Sequence, residues 1–109
     1  MKLWTNIERN TCNLVRISNR KINVFRDAAN NSDEHEVAKL LVFRELRAMG
    51  HNLIVEAIFV GGGRADILDL TDGTAIEIGH TEEKKDFMGK DYPVDKVFLK
   101  ASDVLRRLK

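Results

Sequence analysis

Hydrophobic residues recur along the chain at two periods, and the change from one to the other predicts the order of elements. In "NLVRISNRKINVF", Val15 and Ile17, then Ile22 and Val24, alternate with polar positions around Ser18-Asn19-Arg20-Lys21. That spacing predicts a β-hairpin. From Val37 the period lengthens: Val37, Leu40, Leu41 and Ala48, widened by Leu46 and Met49, predict the buried side of a helix over residues 33–49. Ser32 is its N-cap, acids occupy its first turn, and Gly50 follows as a C′ residue. "NLIVEAIFV", residues 52–60, is apolar except at Glu56, the pattern of a strand covered on both faces. Glu56 is then either a further acid of a functional site or an edge residue facing water. "ADILDL" and "TAIEIG" flank Thr71-Asp72-Gly73, a tight turn between antiparallel strands. Thr81 caps a short helix over 81–90, which Pro93 prevents from continuing. "KVFLKA" is a last strand, and Ser102 opens a final helix. The prediction is an α/β domain spanning residues 1–109, with a β extension over 1–30 and a core over 31–109 in the order α-β-β-β-α-β, closed by a short C-terminal helix.

Composition narrows the class. The 109 residues are 43% hydrophobic and 32% charged, as in ordinary globular domains. No apolar run approaches the roughly 20 residues that span a bilayer, and Lys2, Trp4 and Asn6 interrupt any signal peptide, so no membrane partner is expected. The lone Cys12 allows no intrachain disulfide, which points to a reducing, cytoplasmic setting where the sequon at Asn30 has no meaning. His35, His51 and His80 lack zinc-site spacing, Gly61-Gly62-Gly63-Arg64 lacks the GK[ST] of a phosphate loop, and no nucleophile elbow is present.

Charge is uneven although the net is only +1. Residues 1–30 carry six basic and two acidic side chains, residues 31–80 four and nine, and residues 81–109 eight and six. An acidic middle between basic ends suits a metal centre flanked by phosphate contacts. Arg64 in the glycine-rich connection, and Arg16, Arg20 and Lys21 in the predicted hairpin, are the candidate nucleic-acid contacts.

The acidic middle holds the candidate chemistry. Pairing through the 71–73 turn matches residues whose numbers sum to about 144, which sets Asp66 nearly opposite Ile78, with Glu77 and Gly79 as its neighbours. Two carboxylates on adjacent strands could jointly hold one Mg²⁺. The element order, "AD" in the second core strand, "IEI" in the third and an acid in the first helix resemble the PD-(D/E)xK nuclease superfamily. That superfamily, with its restriction-endonuclease-like core, includes restriction endonucleases and archaeal Holliday-junction resolvases. The resemblance spans roughly residues 33–100. It implies Asp66 as the strand aspartate, Glu77 as the acid of the triplet, Glu36 as the first-helix glutamate, and Asp66, Glu77 and the Ile78 carbonyl as ligands of Mg²⁺ or Mn²⁺. Gly79 stands where the family carries its lysine, so Lys84 or Lys85 on the next helix is the expected substitute. The implied function is metal-dependent cleavage of DNA phosphodiesters by a homodimer, with Val104, Leu105 and Leu108 as a candidate contact. The alternative is a nuclease-fold module that binds DNA or protein without cleaving.

Overall fold

The computed structural model describes residues 4–108. It is an α/β fold built on a mixed sheet in the order β1-β2-β3-β4, with strands Leu53–Ile58, Arg64–Asp69, Thr74–Gly79 and Asp95–Lys100. β1, β2 and β3 are antiparallel neighbours, and β4 runs parallel to β3. The helices are α1 (Asn6–Cys12), α2 (Asp33–Ala48), α3 (Thr81–Gly89) and α4 (Ala101–Leu105). The core elements thus follow the expected α-β-β-β-α-β order. The expected final helix is shorter, since α4 passes into a 3-10 turn over Arg106–Leu108.

One face of the sheet packs Leu53, Val55, Ile67, Ile76 and Ile78 against Ala38 and Val42 of α2 and Val104 of α4. The other packs Ile54, Ala57, Phe59, Leu68 and Ala75 against Cys12 and Val15 of the N-terminal segment. The β2–β3 turn lies where expected. Asp69 accepts from the amides of Thr71 (3.0 Å) and Asp72 (3.2 Å), and Gly73 takes φ 69°, open to residues without a Cβ. The register is one residue tighter than expected: Ile67 faces Ile76 and Leu68 faces Ala75, so paired numbers sum to 143.

The N-terminal β-hairpin is not formed. Thr5 and Glu8 close a capping box that starts α1, and Ile17–Asn19 is a 3-10 turn. Val15 and Ile22 do not pair with each other. Each bridges the open edge of β1 instead, Val15 at Phe59 and Ile22 at Ile54. Asparagine side chains complete the edge: Asn23 Oδ1 accepts from Leu53 N (2.8 Å), and Asn19 Oδ1 accepts from Ile58 N (2.7 Å). The alternation reflected apolar residues covering a sheet edge, and the asparagines between them supply acceptors that a hairpin partner would have supplied from its backbone.

α2 has the expected caps. Ser32 Oγ accepts from His35 N (3.2 Å), and the amides of Gly50 and His51 bond Arg47 O and Leu46 O, a Schellman ending with Gly50 at φ 86°. Its buried side is only partly the one expected: Leu41 and Leu46 pack against the core as foreseen. Ala38, Lys39 and Val42 are buried, whereas Val37, Leu40, Ala48 and Met49 are exposed. Lys39 turns the helix: its ammonium reaches inward to acids, so the apolar positions beside it rotate outward. Val104 is fully buried and Leu105 is packed in the same cluster, so the expected dimer contact is consumed within the chain, and the side chain of Leu108 lies outside those described. Among the described residues no helix is long and apolar enough to cross a membrane.

Candidate active-site cleft

A break in the alternation of β1 and β2 creates the site. The ladder pairs Val55 with Ile67 and then Ala57 with Ala65, skipping Glu56 and Asp66. Val55 and Ile67 belong to the core under α2, whereas Ala57 and Ala65 belong to the opposite core. Residues two apart on a regular strand share a face, so both strands turn over at Glu56 and Asp66. Glu56 makes the turn with φ 53°, a conformation costing a non-glycine residue about 1–3 kcal/mol. The result is an opening of about 320 Å³ lined by His35, Arg64, Asp66, Glu77, Glu83, Lys90 and Tyr92.

Asp66 sits at its centre. One carboxylate oxygen accepts from the amide of Ile78 at 2.8 Å and lies 3.3 Å from His35 Nε2. Burial works to raise its pKa, but the hydrogen bonds of His35, Glu77 and Ile78 outweigh that and leave it below the usual range. Glu77 meets the same carboxylate. Burial, then hydrogen bonding and repulsion from Asp66, push Glu77 up to about 9. The two carboxyls therefore share one proton at neutral pH. Hydrogen bonding to Asp66 raises His35 above its ordinary value, against burial.

Of the residues expected from sequence, Asp66, Glu77, Ile78 and Arg64 line this cleft together. Glu36 does not. Its Oε1 accepts from Ala28 N (2.9 Å), Asn31 Nδ2 (3.0 Å) and Lys39 Nζ (3.2 Å), holding the 28–31 loop against α2. Lys84 and Lys85 are exposed and outside the lining, and the ammonium beside Glu77 belongs to Lys90. Lys90 is placed by the end of α3, whose carbonyls Met88 O (2.6 Å) and Phe87 O (3.4 Å) are capped by Lys96. Arg16 and Lys21 are exposed and also outside the lining, and Arg20 is occupied with backbone, donating to Val15 O (2.9 Å) and Asn13 O (3.3 Å).

Glu56 is nearly buried and is not part of the lining of this cleft. Its Oε2 lies 3.1 Å from Lys39 Nζ, fully buried, and its Oε1 lies 3.6 Å from Arg64 Nε. Lys39 also lies 2.8 Å from Glu36. The ion cluster thus fixes the kink from beneath. His35, Glu83, Lys90 and Tyr92 were missed from sequence. Two had a local signal: Glu83 stands three residues after His80, whose amide it accepts (2.8 Å), the spacing of a capping box, and His35 adjoins Glu36 on α2. Tyr92 had none, because its hydroxyl donates across the fold to Arg64 O at 2.7 Å. At Gly79 an added Cβ would stand 3.0 to 3.2 Å from the Glu83 carboxyl, so the position of the missing lysine looks onto an acid of the cleft.

A second group lies at the far end of β2. His51 Nδ1 is 2.7 Å from Asp69 Oδ2 and 3.8 Å from Asp72 Oδ2. The other oxygen of Asp69 holds the turn amides, and Asn52 N donates to Thr71 Oγ1 at 2.9 Å, so this group locks the β2–β3 turn onto β1. Comparison of the chain with protein-family models, curated proteins and solved structures gives no match.

Proposed function

We propose that the chain is a metal-dependent nuclease that hydrolyses DNA phosphodiesters, with a restriction-endonuclease-like core and its centre at Asp66 and Glu77. The observation that supports this is the contact of these two carboxyl groups at the place where β1 and β2 turn over. Two adjacent carboxyls that cannot both ionise offer an all-oxygen donor set suited to a hard divalent cation. Asp66, Glu77 and the Ile78 carbonyl would hold Mg²⁺ or Mn²⁺. Bound there, such an ion supplies charge neutralisation at a phosphoryl oxygen and acidifies a water.

The chain's own groups do the rest. The Ile78 amide fixes the direction of the Asp66 carboxylate, and His35 Nε2 stands 3.3 Å from it. Glu77 gives up its proton when a cation takes its place. Lys90 and Arg64, lining the same cleft as the acids, offer positive charge to a phosphate. Glu56 and Lys39 position Arg64 and keep the kink. A homodimer remains part of this reading, with a contact that does not use Val104.

One observation favours the second reading, a nuclease-fold module that binds without cleaving: residue 79 is glycine and faces Glu83, so no cation extends from β3. Incubating the full chain with labelled single-stranded, duplex, nicked and branched DNA in Mg²⁺ or Mn²⁺ decides between them. The nuclease reading expects metal-dependent cleavage that Asp66→Asn abolishes. Salt-sensitive DNA binding with no cleavage in either metal would establish the module instead.

A further inference from the structure

A second groove opens beside the acidic cleft. It has a volume of about 170 Å³ and is lined by Asn19, Arg26, Ala28 and Asn30 of the N-terminal segment and by Glu56 and Arg64 of the sheet. Arg64 lines both openings, so the two meet at its side chain. Its floor is made by the segment that covers β1, and its wall by the kink at Glu56.

The groups presented there suit an anion. Arg26 is half-buried and forms no side-chain hydrogen bond or ion pair among the described residues. Arg64 keeps 60% of its side chain exposed. Asn19 is buried at 6% exposure, and its Oδ1 is committed to Ile58 N at 2.7 Å. That bond fixes the orientation of its amide, whose Nδ2 has no acceptor among the described residues. An immobilised NH₂ without an acceptor, in one groove with two guanidiniums, is a donor set for a phosphate. The acids nearby do not cancel it equally. Glu56 is only 7% exposed; it shares buried Lys39 with Glu36 and turns its other oxygen to Arg64 Nε at 3.6 Å, so it draws on one edge of that guanidinium. Asp27, on the rim, is exposed and opposes an anion.

We propose that Asn19, Arg26 and Arg64 form a phosphate subsite for the nucleic-acid strand whose neighbouring phosphodiester lies at Asp66 and Glu77. This rests on the nuclease reading and deepens it. The covering segment then has a role in substrate binding, but through Arg26 and not through Arg16, Arg20 and Lys21. A strand entering at Arg26 passes Arg64 and reaches the acids, with Lys90 beyond.

The test uses the full chain and fluorescein-labelled single-stranded and duplex DNA in EDTA, with anisotropy read across roughly 50 to 200 mM salt. Arg26→Ala should lower affinity about five-fold near 0.15 M salt and reduce the log–log salt slope by about 1, the loss of one phosphate contact. Asp27→Asn should move affinity the other way, a gain that damage to the fold does not produce. Arg107→Ala, on the far side of α2 in a pair with Glu45, should match the wild type. If Arg26→Ala binds as the wild type does while Arg64→Ala binds weakly, the subsite is wrong and the nuclease reading stands. If the wild type shows no salt-sensitive binding to either DNA, both fall together.

Discussion

Lys39 reaches from the middle of α2 to within 3.1 Å of Glu56, and no part of the lysine is exposed to solvent. A fully buried ammonium is tolerated only with close counter-charges, and here two acids supply them. The pair ties the helix to the one residue of β1 with positive φ. Removing one partner leaves a charge buried alone. Lys39→Met should therefore destabilise the fold by about 3–5 kcal/mol in urea denaturation. Lys39→Met/Glu56→Gln should recover part of that loss, because only Glu36 then remains without the lysine.

Glu77 gives a pH signature. Its folded pKa of about 9 lies above the ordinary 4.5, so between these values the folded chain binds a proton that the unfolded chain releases. Stability must then fall as pH rises through that window. Glu77→Gln removes the effect and should raise the melting temperature of the metal-free chain at pH 8 relative to the wild type. A variant no more stable than the wild type at pH 8 would contradict the shared proton. Metal binding near pH 7 should release about one proton, seen by calorimetry in buffers of different ionisation heat.

Lys90 is the lysine that lines the cleft with the acids, and this separates the lysines in function. Lys90→Met should lower metal-dependent cleavage on the order of 100-fold, the scale of losing one transition-state charge contact. Lys84→Met and Lys85→Met should cleave normally, as both are exposed outside the cleft. Single-turnover rates on one labelled substrate check this directly.

Gly79→Lys tests the gap in the triplet. The new side chain would meet the carboxyl of Glu83, which must turn off the His80 amide to make room, so the fold should tolerate it at the cost of that one capping bond. Turnover should rise about ten-fold, within the range of a positioned proton-transfer or charge-stabilising group. Unchanged turnover would show that Lys90 already supplies the charge.

Glu8 carries the acid stability of the N-terminal segment. Its carboxylate accepts from Thr5 N (2.9 Å), Asn52 Nδ2 (2.6 Å) and Thr71 Oγ1 (3.1 Å). The backbone bond from Thr5, then those from Asn52 and the other partners, hold it down at about 2 against burial. Its folded pKa is depressed, so its contribution is present above about 4.5 and is lost as pH falls toward about 2. Glu8→Gln should destabilise the chain by about 1–3 kcal/mol at pH 7, and the difference from wild type should shrink in acid melts.

Local rules determined much of this protein from sequence alone. The caps of α2 at Ser32 and Gly50, the turn at Thr71-Asp72-Gly73 and the limits of β3 follow from side-chain chemistry within a few residues, so they were legible. So was the meeting of Asp66 and Glu77, because a short turn dictates what stands opposite what. What lay beyond local reach was decided by tertiary structure. Val15 and Ile22 read as a hairpin because alternation records a buried face without naming its partner, and the partner was the edge of β1. Val37 and Leu40 read as core because periodicity gives no weight to a lysine, and Lys39 took the interior by finding Glu36 and Glu56. The cleft lies where both strands turn over at Glu56 and Asp66, and at that reversal an ion pair joins α2 to β1 through residues 17 apart in sequence and adjacent only once the chain has folded.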